Sequence, residues 1–251
     1  MLPLIVSNAE YENSKLLPGM LRGAVSIELV FRFCQNQRRK GIAELFLEGL
    51  PRLFIESVQR SGGAYLAALK RTQDAEKVTS KSAPFFDAVA CRDFGVAREI
   101  ARYSRGTWNR DEEYEEDFLY VWLLMKSFFL DRSNEEVASL LARYETVLDG
   151  AEDVRFLIAK GLVHHNSELF VEALNDLIVM HQDHYRTGMK RGEILEEEWA
   201  TEGQLSVEGL ALLRLAQLGG FTIEQGYPLI PSLVISYASE NLSADSWKQL
   251  T

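Results

Sequence analysis

His181 and His184 stand three residues apart in LFVEALNDLIVMHQDHYRTGMKR, a spacing that puts both imidazoles on one face of a helix. With Asp183 or Glu172 beside them and His164-His165 in the preceding loop, the pair could begin a metal site. A metal centre needs three or four converging ligands and neighbours that orient them. His181 falls on the apolar side of its helix and His184 can cap near a C-terminus, so packing and surface roles account for both. Cys34 and Cys91 each sit in an apolar stretch and neither belongs to a C-x-x-C pair, which reads as buried free thiols. A phosphate-cradling loop, G-x-G-x-x-G, G-x-S-x-G and H-E-x-x-H are all absent. No catalytic residue, metal ligand or cofactor is assigned.

The densest chemistry is acidic. Asp111, Glu112, Glu113, Glu115, Glu116 and Asp117 are six acids in seven residues, broken only by Tyr114. A second run holds Glu193, Glu196, Glu197, Glu198 and Glu202, and neither run contains a base. Without these eleven acids the net charge of −10 would become +1, so the acidity is local. Paired carboxylates for acid–base catalysis would need a pocket and a substrate-sized gap, and neither is visible. Acids at a helix N-terminus complement its dipole on a solvated face. Concentrated carboxylates also steer a basic partner and accept charge-assisted hydrogen bonds from its Arg and Lys. On this last reading the contact residues are Asp111, Glu112, Glu113, Tyr114, Glu115, Glu116 and Asp117, with Glu196, Glu197 and Glu198 as a second patch. Charge reversal across Glu112, Glu113, Glu115 and Glu116 is then expected to weaken binding without unfolding the protein. Trp108, Tyr114, Tyr120 and Trp122 flank the cluster as interface aromatics do, although Trp122 shares helical spacing with Phe118 and Met125 and reads as core.

The elements that must carry these residues read as helices. At 251 residues, 47% hydrophobic and 25% charged, the composition is that of an ordinary globular protein. No apolar run approaches the roughly 18 residues of a membrane span. The start, MLPLIVSNAEYENSK, lacks a basic n-region and a cleavage site, so a cytoplasmic protein is expected. The acidic balance argues against nucleic acid as a direct ligand.

Residues 1–23, with Pro3, Asn8, Asn13, Pro18 and Gly19, read as an irregular lead-in. Residues 24–37 fit a strand or a helix; with no pairing partner nearby, helix is the expectation. Arg38-Arg39-Lys40-Gly41 is expected to close it, a further helix to run from 42 to 59 with a break at Pro51, and Ser61-Gly62-Gly63 to turn the chain. Ser82 before Pro84 and Asp93 start two short helices, and residues 112–130 form the next. Ser133 with Glu136 fits a capping box opening residues 134–148, which Asp149-Gly150 ends. Residues 153–163 and 167–185 are helices, 186–192 a polar turn and 194–199 a short acidic helix or turn. Ser206 starts a helix that Gly219-Gly220 stops, Pro228 and Pro231 bracket an extended or turn segment, and 232–251 holds one or two short helices. The expected fold is all-α: one irregular multi-helix domain over 1–251, built of antiparallel helix pairs and partly solenoid-like.

Two stretches carry a resemblance. PFFDAVACRDFGVAREIARYSRGTWNRDEEYEEDFLYVWLL leads from a small helical hairpin through a Trp turn to an acidic Tyr/Asp helix. LFVEALNDLIVMHQDHYRTGMKRGEILEEEW is followed by LSVEGLALLRLAQLGGFTIEQGYPLIPSLV. Their order and content, over about residues 82–235, resemble the immunity protein 49 family. Leu218 stands before Gly219-Gly220, where a basic residue would be expected. The resemblance implies a helical, non-enzymatic protein encoded beside a bacterial polymorphic or contact-delivered toxin, which it inhibits stoichiometrically. The partner is then a cognate toxin or effector protein; a nuclease, with its basic phosphate-binding surface, is one such toxin. No contact residue carries over. Two other readings stay open: a helical adaptor resembling tetratricopeptide proteins, and a metal-dependent helical enzyme using His181 and His184.

Overall fold

The computed structural model describes residues 1–131, 133–223, 226–238 and 242–249, and among these every regular element is a helix. Three long helices come first: α1 (Leu2–Arg22), α2 (Ile27–Glu48) and α3 (Pro51–Leu69). Short connections fold each back on the last, and α2 packs along both neighbours.

Three boundaries expected in this region are absent, and in each case tertiary packing overrides a local stop signal. Residues 1–23 are not an irregular lead-in. Pro3 lies in the first turn of α1, where its missing N–H leaves no bond unmade, and Pro18 is carried inside the helix. Asn13 is buried, donating to the Phe33 carbonyl at 3.3 Å and accepting from Asn36 at 3.0 Å. Arg38-Arg39-Lys40-Gly41 does not close α2, which continues to Gly49, whose φ of 67° is the left-handed stop. Ser61-Gly62-Gly63 lies inside α3. Gly41 and Gly63 serve close approach and not turning. A Cβ on Gly41 would stand 2.7 Å from Ser57 Cβ and 3.1 Å from the Phe54 backbone, and one on Gly63 would stand 2.7 Å from the Ala244 carbonyl.

The middle of the chain gives α4 (Ala83–Ala90), α5 (Phe94–Tyr103), α6 (Glu115–Phe129) and α7 (Asn134–Leu148). Asp93 accepts from Val96 N at 3.0 Å to open α5. The reciprocal bonds of Ser133 and Glu136, at 3.1 and 2.9 Å, open α7 as expected. The acidic helix starts three residues later than expected. Residues 110–112 turn first, with the Glu112 and Glu113 amides donating to the Asn109 carbonyl at 2.9 and 3.1 Å. From Phe118 to Met125 every side chain of α6 except Trp122 is buried, and Trp122 stacks on Phe118 against the core.

Then follow α8 (Val154–Val163), α9 (Ser167–Arg191), α10 (Glu196–Ala200), α11 (Val207–Leu218) and α12 (Ser232–Ser236). The turn expected at 186–192 is the last part of α9, which ends only at Gly192, φ 70°. Buried Ser206 accepts from Gly209 N at 3.1 Å to start α11. α4 and α11 are buried on nearly all sides and pack on each other, which makes them the centre of the fold. Of the expected C-terminal helices, α12 and a single 3₁₀ turn at Ser246–Lys248 are present; residues 239–241 and 250–251 lie outside the described residues. Trp247, 1% exposed, packs edge-on against Phe33 and returns this end of the chain to α2 and α3.

Candidate partner-binding site

Arg38 and Arg39 on α2 are the counter-charge of the second acidic stretch. Arg38 donates two bonds to Asp87 of α4, at 2.7 and 2.8 Å, and a third to Glu202 at 3.2 Å. Arg39 donates to Glu202 at 2.8 Å, to Glu197 at 3.2 Å and to Glu198. Lys40 Nζ reaches Glu10 of α1 at 2.7 Å. The Ser61 hydroxyl of α3 completes the set by donating to Asp87. Burial pushes the Glu202 carboxyl up, but Arg38 and Arg39 outweigh it and hold the group below the usual carboxylate range. Burial likewise raises Asp87, with the two-point bond from Arg38 and the Ser61 hydroxyl pulling against it.

Glu197 and Glu198 are therefore engaged within the chain: their carboxylates neutralise the buried Arg39 of α2. Glu193 and Glu196 stand exposed.

The first acidic stretch divides in the same way. Glu113 is a structural clamp, its oxygens accepting from Asn109 N at 3.1 Å and Ser80 N at 2.7 Å. Asn109 in turn donates to the carbonyls of Ala75 and Lys77, and the Trp108 indole donates to the Glu113 carbonyl at 2.9 Å. Glu115 pairs with Arg143 of α7 at 2.5 Å, and Asp117 with Arg155 of α8 at 3.4 Å. Asp111, Glu112 and Tyr114 project outward, Tyr114 with 74% of its surface exposed, and Glu116 is half-buried beside them. Reversing Glu113 and Glu115 would thus break bonds that hold the turn and α7, so the four-residue reversal expected to leave the fold intact does not separate binding from folding. Asp111, Glu112 and Glu116 form the set that does.

Asp117 and Glu202 bring both acidic stretches to one cleft of about 340 Å³. Its walls are Phe86 of α4, Tyr120 of α6, Arg155 of α8, His181, His184 and Tyr185 of α9, and Glu208 of α11. The Tyr120 hydroxyl donates to Glu208 at 2.9 Å, Arg155 Nε approaches the same carboxylate at 3.4 Å, and the guanidinium lies 5.4 Å from the centre of the Tyr120 ring. His181 donates from Nε2 to the Glu202 carbonyl at 2.8 Å, and burial lowers its pKa. Among the described residues no three His, Cys, Asp or Glu side chains come together to hold a metal ion. No helix among them is long and apolar enough to cross a membrane.

Arg38, Tyr120, Arg155 and Glu208 were missed as site residues. They come from four helices separated by long stretches of sequence, so no spacing joins them. The one available signal was Tyr120, on the helix that the acids open.

A family model described as Immunity protein 49 matches residues 21–233. The match starts inside α1 and takes in α2 and α3, well before the start of the stretch that carries the sequence resemblance. No curated protein matches the chain, and no solved structure does.

Proposed function

The chain belongs to the immunity protein 49 family, and from that membership we propose that it binds a cognate bacterial toxin and neutralises it as a stoichiometric inhibitor in the cytoplasm of the producing cell. The family match carries this reading. The distribution of charge supports a route. Asp117 and Glu202 reach the cleft, Asp111 and Glu112 stand exposed on the turn before α6 and Glu116 is half-buried at its start, while most of the remaining acids of both stretches are spent on the chain's own bases. A toxin that binds phosphate backbones presents a basic surface, and an acidic face that covers it blocks substrate and attracts the toxin from a distance. Inhibition is then occlusion, which needs shape and charge complementarity but no catalytic group in the inhibitor.

Co-expression with the toxin gene adjacent to its own is the test. A complex of defined stoichiometry on co-purification, together with rescue of growth, is the expected result. Absence of both would dispose of the proposal.

A further inference from the structure

We propose that the cleft between α6, α8, α9 and α11 receives one basic side chain of the toxin, an arginine or lysine held by Asp117 and Glu208; this rests on the toxin-binding reading above. The cleft's charges are unequally matched. Arg38 is committed to Asp87 and Glu202, and Glu202 is shared with Arg39 at 2.8 Å. Among the described residues that leaves Asp117 and Glu208 with Arg155 as their one cation, at 3.4 Å from each, beyond the usual N–H···O range, while Glu208 also accepts from the Tyr120 hydroxyl at 2.9 Å. Two carboxylates thus face a single loosely placed guanidinium and keep lone pairs for another donor.

The walls suit a cation as well. The Tyr120 ring is already taken up by Phe86 and Arg155, but Tyr185 presents an aromatic ring, its centre 4.8 Å from that of His181 and 5.2 Å from that of His184. Guanidinium and ammonium groups are attracted to aromatic faces, most strongly when desolvated. The volume of about 340 Å³ is at the small end for a ligand pocket, enough for a long side chain but not for a helix. The mouth is open, with Asp117 and Arg155 side chains 42% and 43% exposed. Burial raises the Asp117 carboxyl, with the neighbouring Glu116 and Asp153 adding to the effect and Arg155 opposing it, so an incoming cation relieves a charge that the fold itself disfavours.

The experiment measures affinity and dissociation rate for the adjacent gene's toxin, made catalytically inactive, against the full chain. Asp117→Asn and Glu208→Gln are each expected to weaken binding about tenfold or more through faster dissociation, as loss of a desolvated charge partner does. Asp117→Asn should leave thermal stability unchanged or higher, which separates a contact role from a structural one. Arg155→Gln, which frees both carboxylates, is expected to bind as tightly as the wild type or tighter. Wild-type affinity in both carboxylate variants would overturn the cleft assignment while leaving the toxin-binding reading intact. Loss of binding in Arg155→Gln would overturn it too. A wild-type chain that does not bind the toxin removes both proposals.

Discussion

Arg38 illustrates what a single side chain does here. It places a charge between α2, α4 and the loop after α10, and its removal leaves Asp87 and Glu202 buried with too little counter-charge. Arg38→Ala is expected to cost about 3–5 kcal/mol, the range for breaking a buried ion pair from one side. Urea denaturation measures it, and a loss below about 1 kcal/mol would mean that the network is not holding these elements together. His181 gives a pH signature. Its pKa is lowered in the folded state, so below the ordinary value of 6.5 the unfolded chain takes up the proton first. Stability should therefore fall as pH drops through that value and level off below the folded pKa. Denaturation midpoints compared between about pH 7.5 and about pH 5.5 should show a smaller drop in His181→Gln than in the wild type. At this scale the sequence showed which residues carry charge but not who faces whom. Glu113, Glu115, Glu197 and Glu198 looked equally available because their partners lie on other elements.

Helix starts were readable wherever the bonds that define them are local. Asp93, Ser133 with Glu136, and Ser206 all cap amides three residues ahead, and each was placed correctly. The stops at Asp149-Gly150 and Gly219-Gly220 stand where expected, but others were misread because glycine and proline have two uses that look alike in sequence. Gly49 and Gly192 do end helices, whereas Gly41 and Gly63 let a neighbouring backbone come close. An alanine in place of a helical glycine ordinarily adds up to about 1 kcal/mol of stability. Gly41→Ala is expected to do the reverse and lose about 1–3 kcal/mol, since its Cβ would meet Ser57 Cβ at 2.7 Å and the Phe54 backbone at 3.1 Å. Thermal or urea melts decide the sign, and a gain would show that α2 and α3 can separate without penalty.

For the whole molecule, the all-α architecture followed from helical periodicity with no pairing partner for any extended run, and it holds among the described residues. The cleft did not follow, because it exists only once α4, α6, α8, α9 and α11 have packed. The family assignment widened in the same way, from the acidic and C-terminal stretches to residues 21–233, when the long helices α2 and α3 proved part of the match. The surviving surface acids predict a kinetic effect. Neutralising Asp111, Glu112 and Glu116 together should slow association with the toxin and flatten its dependence on salt, while dissociation stays near wild type. Stopped-flow measurement at low and high ionic strength reads this, and an unchanged association rate would mark the turn as a solvated helix start. The central claim, that a toxin is bound where the two acidic stretches meet, is tested most directly by hydrogen exchange on the chain alone and in complex with the adjacent gene's product. The account predicts new protection in residues 109–121 and 181–208. Protection confined to other parts of the chain, with these segments exchanging as in the free protein, would contradict it.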